Sequence, residues 1–206
     1  MDSKRLIIDI ETLGTKPNAV VVQVAAVLWN DDTEDNVVLK QTWNLDVPSQ
    51  QRVGRSIDYD TVLWWRNQSA DAFNNVFADS APRLPITAFR FQLADFMQVV
   101  NKYYGSSDIE VWANSPSFDL VILESLFGND MYKYRNWRDQ RTLEALYKLV
   151  TRKNPKTQLA QPCDDYAVKR SNGGLPHTAE YDALWQGKFI SLMVKELRFA
   201  KQGELL

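Results

Sequence analysis

Five residues of this chain have side chains whose type and spacing suggest a reaction: Asp9, Glu11, Asp119, His177 and Asp182. Asp9 and Glu11 lie two apart in Leu6-Ile7-Ile8-Asp9-Ile10-Glu11-Thr12-Leu13-Gly14, a run whose β-branched start favours a buried strand. In a strand both carboxylates leave one face, while Ile8 and Ile10 anchor the other. Two carboxylates side by side repel, and one would ordinarily take up a proton. A hard divalent ion such as Mg²⁺ removes the conflict, because it requires clustered carboxylate oxygens. Taken alone, the pair is more simply the wet outer face of a strand. Its partners decide.

His177 is the one histidine of the chain, and Asp182 follows five positions on. On a continuous helix the two would point about 140° apart. They face one site only if His177 sits in the loop before the helix and Asp182 lies inside it. Gly173, Gly174 and Pro176 before the histidine, with Thr178 as cap, predict that arrangement. A lone histidine is otherwise an ordinary surface or core imidazole. Asp119 follows an expected strand, Val111-Trp112-Ala113, and the turn Asn114 to Phe118. Strand ends that lead into helix starts are where α/β proteins place ligand groups. By itself Asp119 is also explained as a first-turn acid on a helix dipole.

The elements that must position these groups follow from the apolar pattern. Val20–Trp29 reads as a central strand and Val37–Leu45 as its return, which with the first strand makes an antiparallel meander. Asp58 to Phe77 reads as two short helices split near Ser69, within a helical insert at about 56–80. Ile86–Tyr104 has helical spacing and ends at Gly105. Ile109–Ala113 is a fourth strand, and a helix runs from Ser117 to Phe127. Thr142–Val150, Asp164–Lys169 and a long final helix to about Ala200 complete the chain. The expected fold class is a mixed α/β sheet with a three-strand meander, flanked by helices, in a single domain spanning residues 1–206.

The composition is that of a globular protein, 45% hydrophobic, 24% charged and 12% aromatic. No apolar run is long enough to span a bilayer, and Met1 to Arg5 leads straight into the first strand, so the expected location is cytoplasmic. Cys163, the single cysteine, has no disulfide partner and reads as a small core residue. The net charge of −2 excludes a strongly basic nucleic-acid coat. Charge is uneven, however: Lys133 to Lys156 holds eight basic residues against Asp139 and Glu144. Such a face serves a polyanion, or is simply a solvated helix and loop.

Asp9-x-Glu11, then Asn114-x-x-x-Phe118-Asp119, then His177-x-Ala179-x-x-Asp182-Ala183 together resemble the three-part signature of the DEDDh 3′→5′ exonucleases, which have a ribonuclease-H-like fold. Each motif is weak alone; three in order, from Leu6 into the final helix, are specific. Thr61 to Ser69 and Arg138 to Thr142 further resemble phage DexA-type DNA exonucleases and, more distantly, exonuclease VIII and a bacterial exoribonuclease branch. Glu11-Thr12-Leu13-Gly14 departs from the commoner Glu-Thr-Thr-Gly while keeping Thr12 and Gly14. Asp139 is an extra acid, read as a cap, and Asp164 and Asp165 are excluded as helix surface.

The resemblance implies that Asp9, Glu11, Asp119 and Asp182 ligate two Mg²⁺ or Mn²⁺ ions, with Asp9 bridging, and that His177 accepts the proton of the attacking water. It implies contacts of Thr12, Leu13, Asn114 and Phe118 with the terminal nucleotide, and a single-stranded 3′ end as partner, DNA ahead of RNA. A phage-encoded protein of this kind would work in the host cytoplasm. Trp64 and Trp65 point about 100° apart on a helix, so Trp65 is expected inward and Trp64 outward, where it stacks on a base or pins the insert. The rivals are an exoribonuclease with the same site, a catalytically silent nucleic-acid-binding module, and a ribonuclease-H-type endonuclease. The His177–Asp182 pair disfavours the last, and no acid is missing as the silent module would require.

Overall fold

The computed structural model describes residues 3–77, 82–105, 108–128, 132–171 and 174–201. Gly173, expected in the turn before the histidine, and residues 78–80 at the end of the insert lie outside that set. Strands β1 (Lys4–Thr12), β2 (Val21–Asn30) and β3 (Val37–Asn44) form the expected antiparallel meander. β4 (Val111–Ala113) joins β1 in parallel, and β5 (Trp137–Asp139) joins β4, giving the order β3-β2-β1-β4-β5. β1 therefore lies in the centre, and its side chains divide between two covered faces. Leu6, Ile8 and Ile10 pack on one side with α4 (Ile86–Tyr104) and α5 (Asp119–Phe127). Ile7 packs on the other with Ala25, Val27 and Trp29, against α6 (Gln140–Thr151), α7 (Pro155–Arg170) and α8 (Ala179–Lys201). Asp9 and Glu11 continue the face of Ile7, toward α8.

The insert forms as expected, with α2 (Tyr59–Arg66) and α3 (Ala70–Phe77) split at Asn67–Ser69. Trp65 and Val76 from it close a small cluster with Leu13, Val20 and Val22. A short helix, α1 (Val47–Gln51), and the three-residue β5 carry too little pattern to be read from sequence. α7 is much longer than the expected Asp164–Lys169, because Asn154 caps it and Pro155 starts it. Pro162 looks like a breaker, yet the helix runs through it, with Leu159, Cys163 and Ala167 buried against α8. Packing there outweighs the local cost of proline, ~3 kcal/mol in a helix interior. Thr178 does stand just before α8, but its hydroxyl donates to the Leu175 carbonyl at 2.8 Å. The Ala179 N–H is instead accepted by Gln23 Oε1 from β2, at 2.7 Å.

Gly187 sets how closely α8 approaches the sheet. A Cβ at that position would lie 2.4 Å from Cε3 of the buried Trp29 ring. Since α8 carries Asp182, the glycine fixes one wall of the acid cluster. Gly187→Ala is expected to destabilise the protein by about 1–2 kcal/mol, overpacking outweighing the better helix propensity of alanine. Urea unfolding of the metal-free variant checks this, and an unchanged midpoint would show that α8 can move away freely.

Candidate active site

Three elements bring the acids together. β1 presents Asp9 and Glu11, the start of α5 presents Asp119, and the first turns of α8 present Asp182. A ligand oxygen from each of Asp9, Glu11 and Asp182 lies within 4.8 Å of the other two. Asp119 is outside that tightest group but near enough for its charge to act on both Asp9 and Glu11. Three of the four are largely buried: Asp9, Glu11 and Asp119 are 8%, 9% and 5% exposed. The register between β1 and β2 shifts immediately after Glu11, an irregularity of the kind that re-aims side chains beside functional sites. Thr12 Oγ1 then donates to the Gly14 carbonyl at 2.7 Å and closes the turn behind the acids.

Burial dominates the electrostatics. It raises the carboxyl of Asp9 well above the ordinary range, and the charges of Asp182, Asp119 and Glu11 raise it further. Glu11 is raised by burial and then by Asp182 and Asp119. Asp119 is pushed up to about 7 by burial, opposed by backbone N–H bonds, including one from Ser115 at 3.2 Å, and by the charge of Arg141. Asp182 also reaches about 7 through burial, opposed by a hydrogen bond from the His177 backbone N–H. A cluster of buried oxygens that resists ionisation when empty is a donor set suited to hard divalent cations.

Stability should register this directly. In the unfolded chain carboxyls titrate near 3.9–4.3, whereas Asp119 and Asp182 titrate about 7 in the folded one. Between those limits the folded state holds more protons, so stability falls as pH rises through the window. The thermal midpoint in chelator is therefore expected to drop between pH 5 and pH 8 more than that of Asp182→Asn. Saturating Mn²⁺ at pH 8 should restore it, since an ion held by the cluster would stabilise the folded state alone. Parallel pH profiles for the two proteins would refute the coupling.

Two residues of the site were not legible beforehand. Gln186, one turn after Asp182, is buried and donates from Nε2 to Asp9 Oδ1 at 2.6 Å. Its Oε1 has no partner among the described residues. Arg141, in the first turn of α6, donates from Nε to Asn114 Oδ1 at 3.5 Å and tempers Asp119. The i, i+4 spacing from Asp182 was the available signal for Gln186; Arg141 offered none, since its contact depends on α6 meeting the β4–α5 turn. Asp139 is a cap, accepting from the Arg141 N–H at 2.9 Å and from Thr142 Oγ1. Asp164 stands outside the cluster and accepts from Tyr181 and Trp185, tying α7 to α8.

His177 does lie in the loop before α8, with Asp182 inside the helix, at φ +64° in the left-handed region. Its exposed ring meets Trp64 edge to face, centroids 5.3 Å apart. Beside the acids is a cavity of about 400 Å³ whose lining includes Glu11, Thr12, Thr61, Trp64 and Phe118. Leu13 is buried in the cluster with Trp65. Trp65 is inward at 2% exposure and Trp64 half outward at 43%. Much of the basic stretch is already paired: Lys133 and Arg135 with Asp108, Arg138 with Glu110, Lys153 with Glu196, and Lys156 with Glu144. Among the described residues, no helix is long and apolar enough to cross a membrane.

The fold is that of known exonucleases. A zinc-bound complex of E. coli ExoI with ssDNA superposes with a TM-score of 0.60 at 15% identity, covering 98% of this chain and 42% of that one. A product-bound exonuclease I gives 0.55 at 15% identity, over 98% of this chain and 46% of the other. This chain thus spans less than half the length of either protein. No curated protein matches it in sequence. The profile of the Rv2179c-like family, the 3′-5′ exoribonuclease Rv2179c-like domain, matches residues 4–194, and over nearly its whole length this chain therefore belongs to that family of 3′→5′ exonucleases.

Proposed function

We propose that the chain removes nucleotides one at a time from the 3′ end of a single strand, DNA in the first place, releasing nucleoside 5′-monophosphates. The observation that carries this reading is the convergence of Asp9, Glu11 and Asp182 within 4.8 Å, with Asp119 electrostatically coupled to two of them. These four carboxylates would hold two Mg²⁺ or Mn²⁺ ions, which when bound neutralise the phosphodiester, activate water and stabilise the leaving 3′-oxygen. Gln186 holds Asp9 in place from behind, and Arg141 fixes Asn114 beside Asp119. His177 takes the proton of the attacking water as the bond from phosphorus to the 3′-oxygen of the preceding nucleotide breaks. Its exposed ring passes that proton on to solvent.

The cavity beside Glu11 receives the terminal nucleotide, with Thr12, Phe118 and Trp64 in its lining. Aromatic rings suit a base of any identity, each stack contributing about 1–3 kcal/mol. Resemblance of Thr61 to Ser69 to DexA-type enzymes favours DNA. The family match to an exoribonuclease domain favours RNA as a second reading. Matched DNA and RNA strands, each labelled at either the 3′ or the 5′ end, separate the two. The expected result with Mg²⁺ is immediate mononucleotide release from the 3′ label and a descending ladder from the 5′ label, faster for DNA. Undiminished cleavage in excess chelator, or internal cuts, would overturn the reading; faster RNA loss would transfer it to the second.

A further inference from the structure

A general base is normally oriented by a partner on its other side, as the third member of a triad orients its histidine. Among the described residues, His177 has no such hydrogen-bonding partner. It is exposed, its backbone hydrogen bond to Asp182 fixes only the main chain, and among the described residues its imidazole makes no hydrogen bond. What meets the imidazole is the Trp64 indole, at 5.3 Å between centroids and 87° between planes. Trp64 is itself held edge to face on Trp65, at 5.0 Å and 79°. Trp65 is anchored: it is buried, packs on Phe77 at 5.0 Å, and donates from Nε1 to the Thr12 carbonyl at 2.9 Å. Thr12 is the residue after Glu11. A run of ring contacts thus leads from the end of β1, beside the acids, through α2 to His177.

We propose that Trp64 is a positioning residue for His177, so that the helical insert orients the base of the reaction by an aromatic contact in place of a hydrogen bond. The proposal rests on His177 being that base. An edge-to-face contact restricts ring rotation without a hydrogen bond to the imidazole, whose nitrogens are not consumed by a protein partner among the described residues. It also makes the insert part of the catalytic geometry, beyond its share in the nucleotide cavity. Misplacing a catalytic group by about 1 Å costs on the order of 10²-fold in rate. That sets the scale expected when the contact is removed.

The test is a double-mutant cycle with a spectroscopic arm. Steady-state kinetics on a 3′-labelled single strand are measured for Trp64→Ala, Trp64→Phe, His177→Asn and Trp64→Ala combined with His177→Asn. Trp64→Ala should lower kcat by about 10–100-fold, Trp64→Phe should retain most of it, and Trp64→Ala should lower kcat no further once His177 is gone, whatever it does to KM. Because the chain has a single histidine, its imidazole protons are identified without assignment. In the metal-free protein they should move in Trp64→Ala through loss of the indole ring current. If Trp64→Ala fails to fold, Trp64→Leu, which keeps bulk against Trp65 but has no ring, is read in the same way. A kcat loss that is additive with His177→Asn, a change confined to KM, or unmoved imidazole resonances would overturn the role of Trp64. Normal kcat in His177→Asn would instead remove the base itself, and this role with it.

Discussion

Asp9→Ala is expected to abolish nucleotide release, and Asp9→Asn to do the same while raising the thermal midpoint of the metal-free protein. Asp9 lies on the central strand, 8% exposed, and three other acids raise its carboxyl. Burial and those neighbours oppose its ionisation, and each proton lost from the cluster as pH rises adds a negative charge among others of the same sign. Removing that charge relieves the cluster, whereas shortening the side chain to alanine also strands the buried Gln186 amide that donates to it. An unsatisfied buried donor costs about 1–3 kcal/mol, so alanine conceals part of the relief. Asparagine does not. Its amide can turn to donate to Gln186 Oε1, a buried oxygen without a partner among the described residues. Each kcal/mol gained is worth roughly 2–4 °C in a chain of this size. Melting curves in chelator at pH 8, paired with single-turnover cleavage in Mg²⁺, check both halves. Retained turnover would remove Asp9 from the reaction. A collapsed midpoint for Asp9→Asn would make it a structural acid.

How much of this was legible in the sequence depended on how local each determinant is. Asp9 and Glu11 share a face because a strand alternates, and no tertiary contact is needed to know it. His177 and Asp182 required one further step, that the chain turns between them, and Pro176 with its glycine neighbours signalled it. The meander and the division of the insert at Ser69 likewise followed from apolar runs and short turns. What escaped was decided by neighbours distant in sequence. Pro162 lies inside α7, and the burial of that helix against α8 that outweighs its local penalty is a tertiary contact. Gln186 is an ordinary amide until α8 sets it against β1, and Arg141 is one more surface cation until α6 meets Asn114. The hydroxyl of Thr178 points back to Leu175, and the first N–H of α8 is met from β2 by Gln23, a partner distant in sequence. Local pattern singled out the candidate groups; the residues that support them depend on tertiary packing.

Removing the imidazole of His177 is expected to lower kcat by roughly 10²–10⁴-fold, the scale of general-base catalysis, while protection of the folded state by Mn²⁺ persists. The choice of variant matters here. His177 adopts φ +64°, and alanine is strained in that region, so His177→Ala mixes a backbone effect with the chemical one. Asparagine tolerates the left-handed conformation and cannot accept the proton, so His177→Asn isolates the chemistry. The hydrogen bond that reaches Asp182 comes from the backbone N–H of residue 177, and it survives either substitution. Metal binding by the four acids should consequently be retained, which distinguishes a lost base from a disrupted cluster. Because the ring is exposed, its removal leaves a gap open to solvent. Added imidazole should therefore restore part of the rate in His177→Ala, in proportion to its concentration, and restore none in Asp9→Ala. Near-normal kcat in His177→Asn would assign proton removal to another group. A variant that lost both turnover and Mn²⁺ protection would place His177 in the integrity of the metal site instead of in the proton transfer.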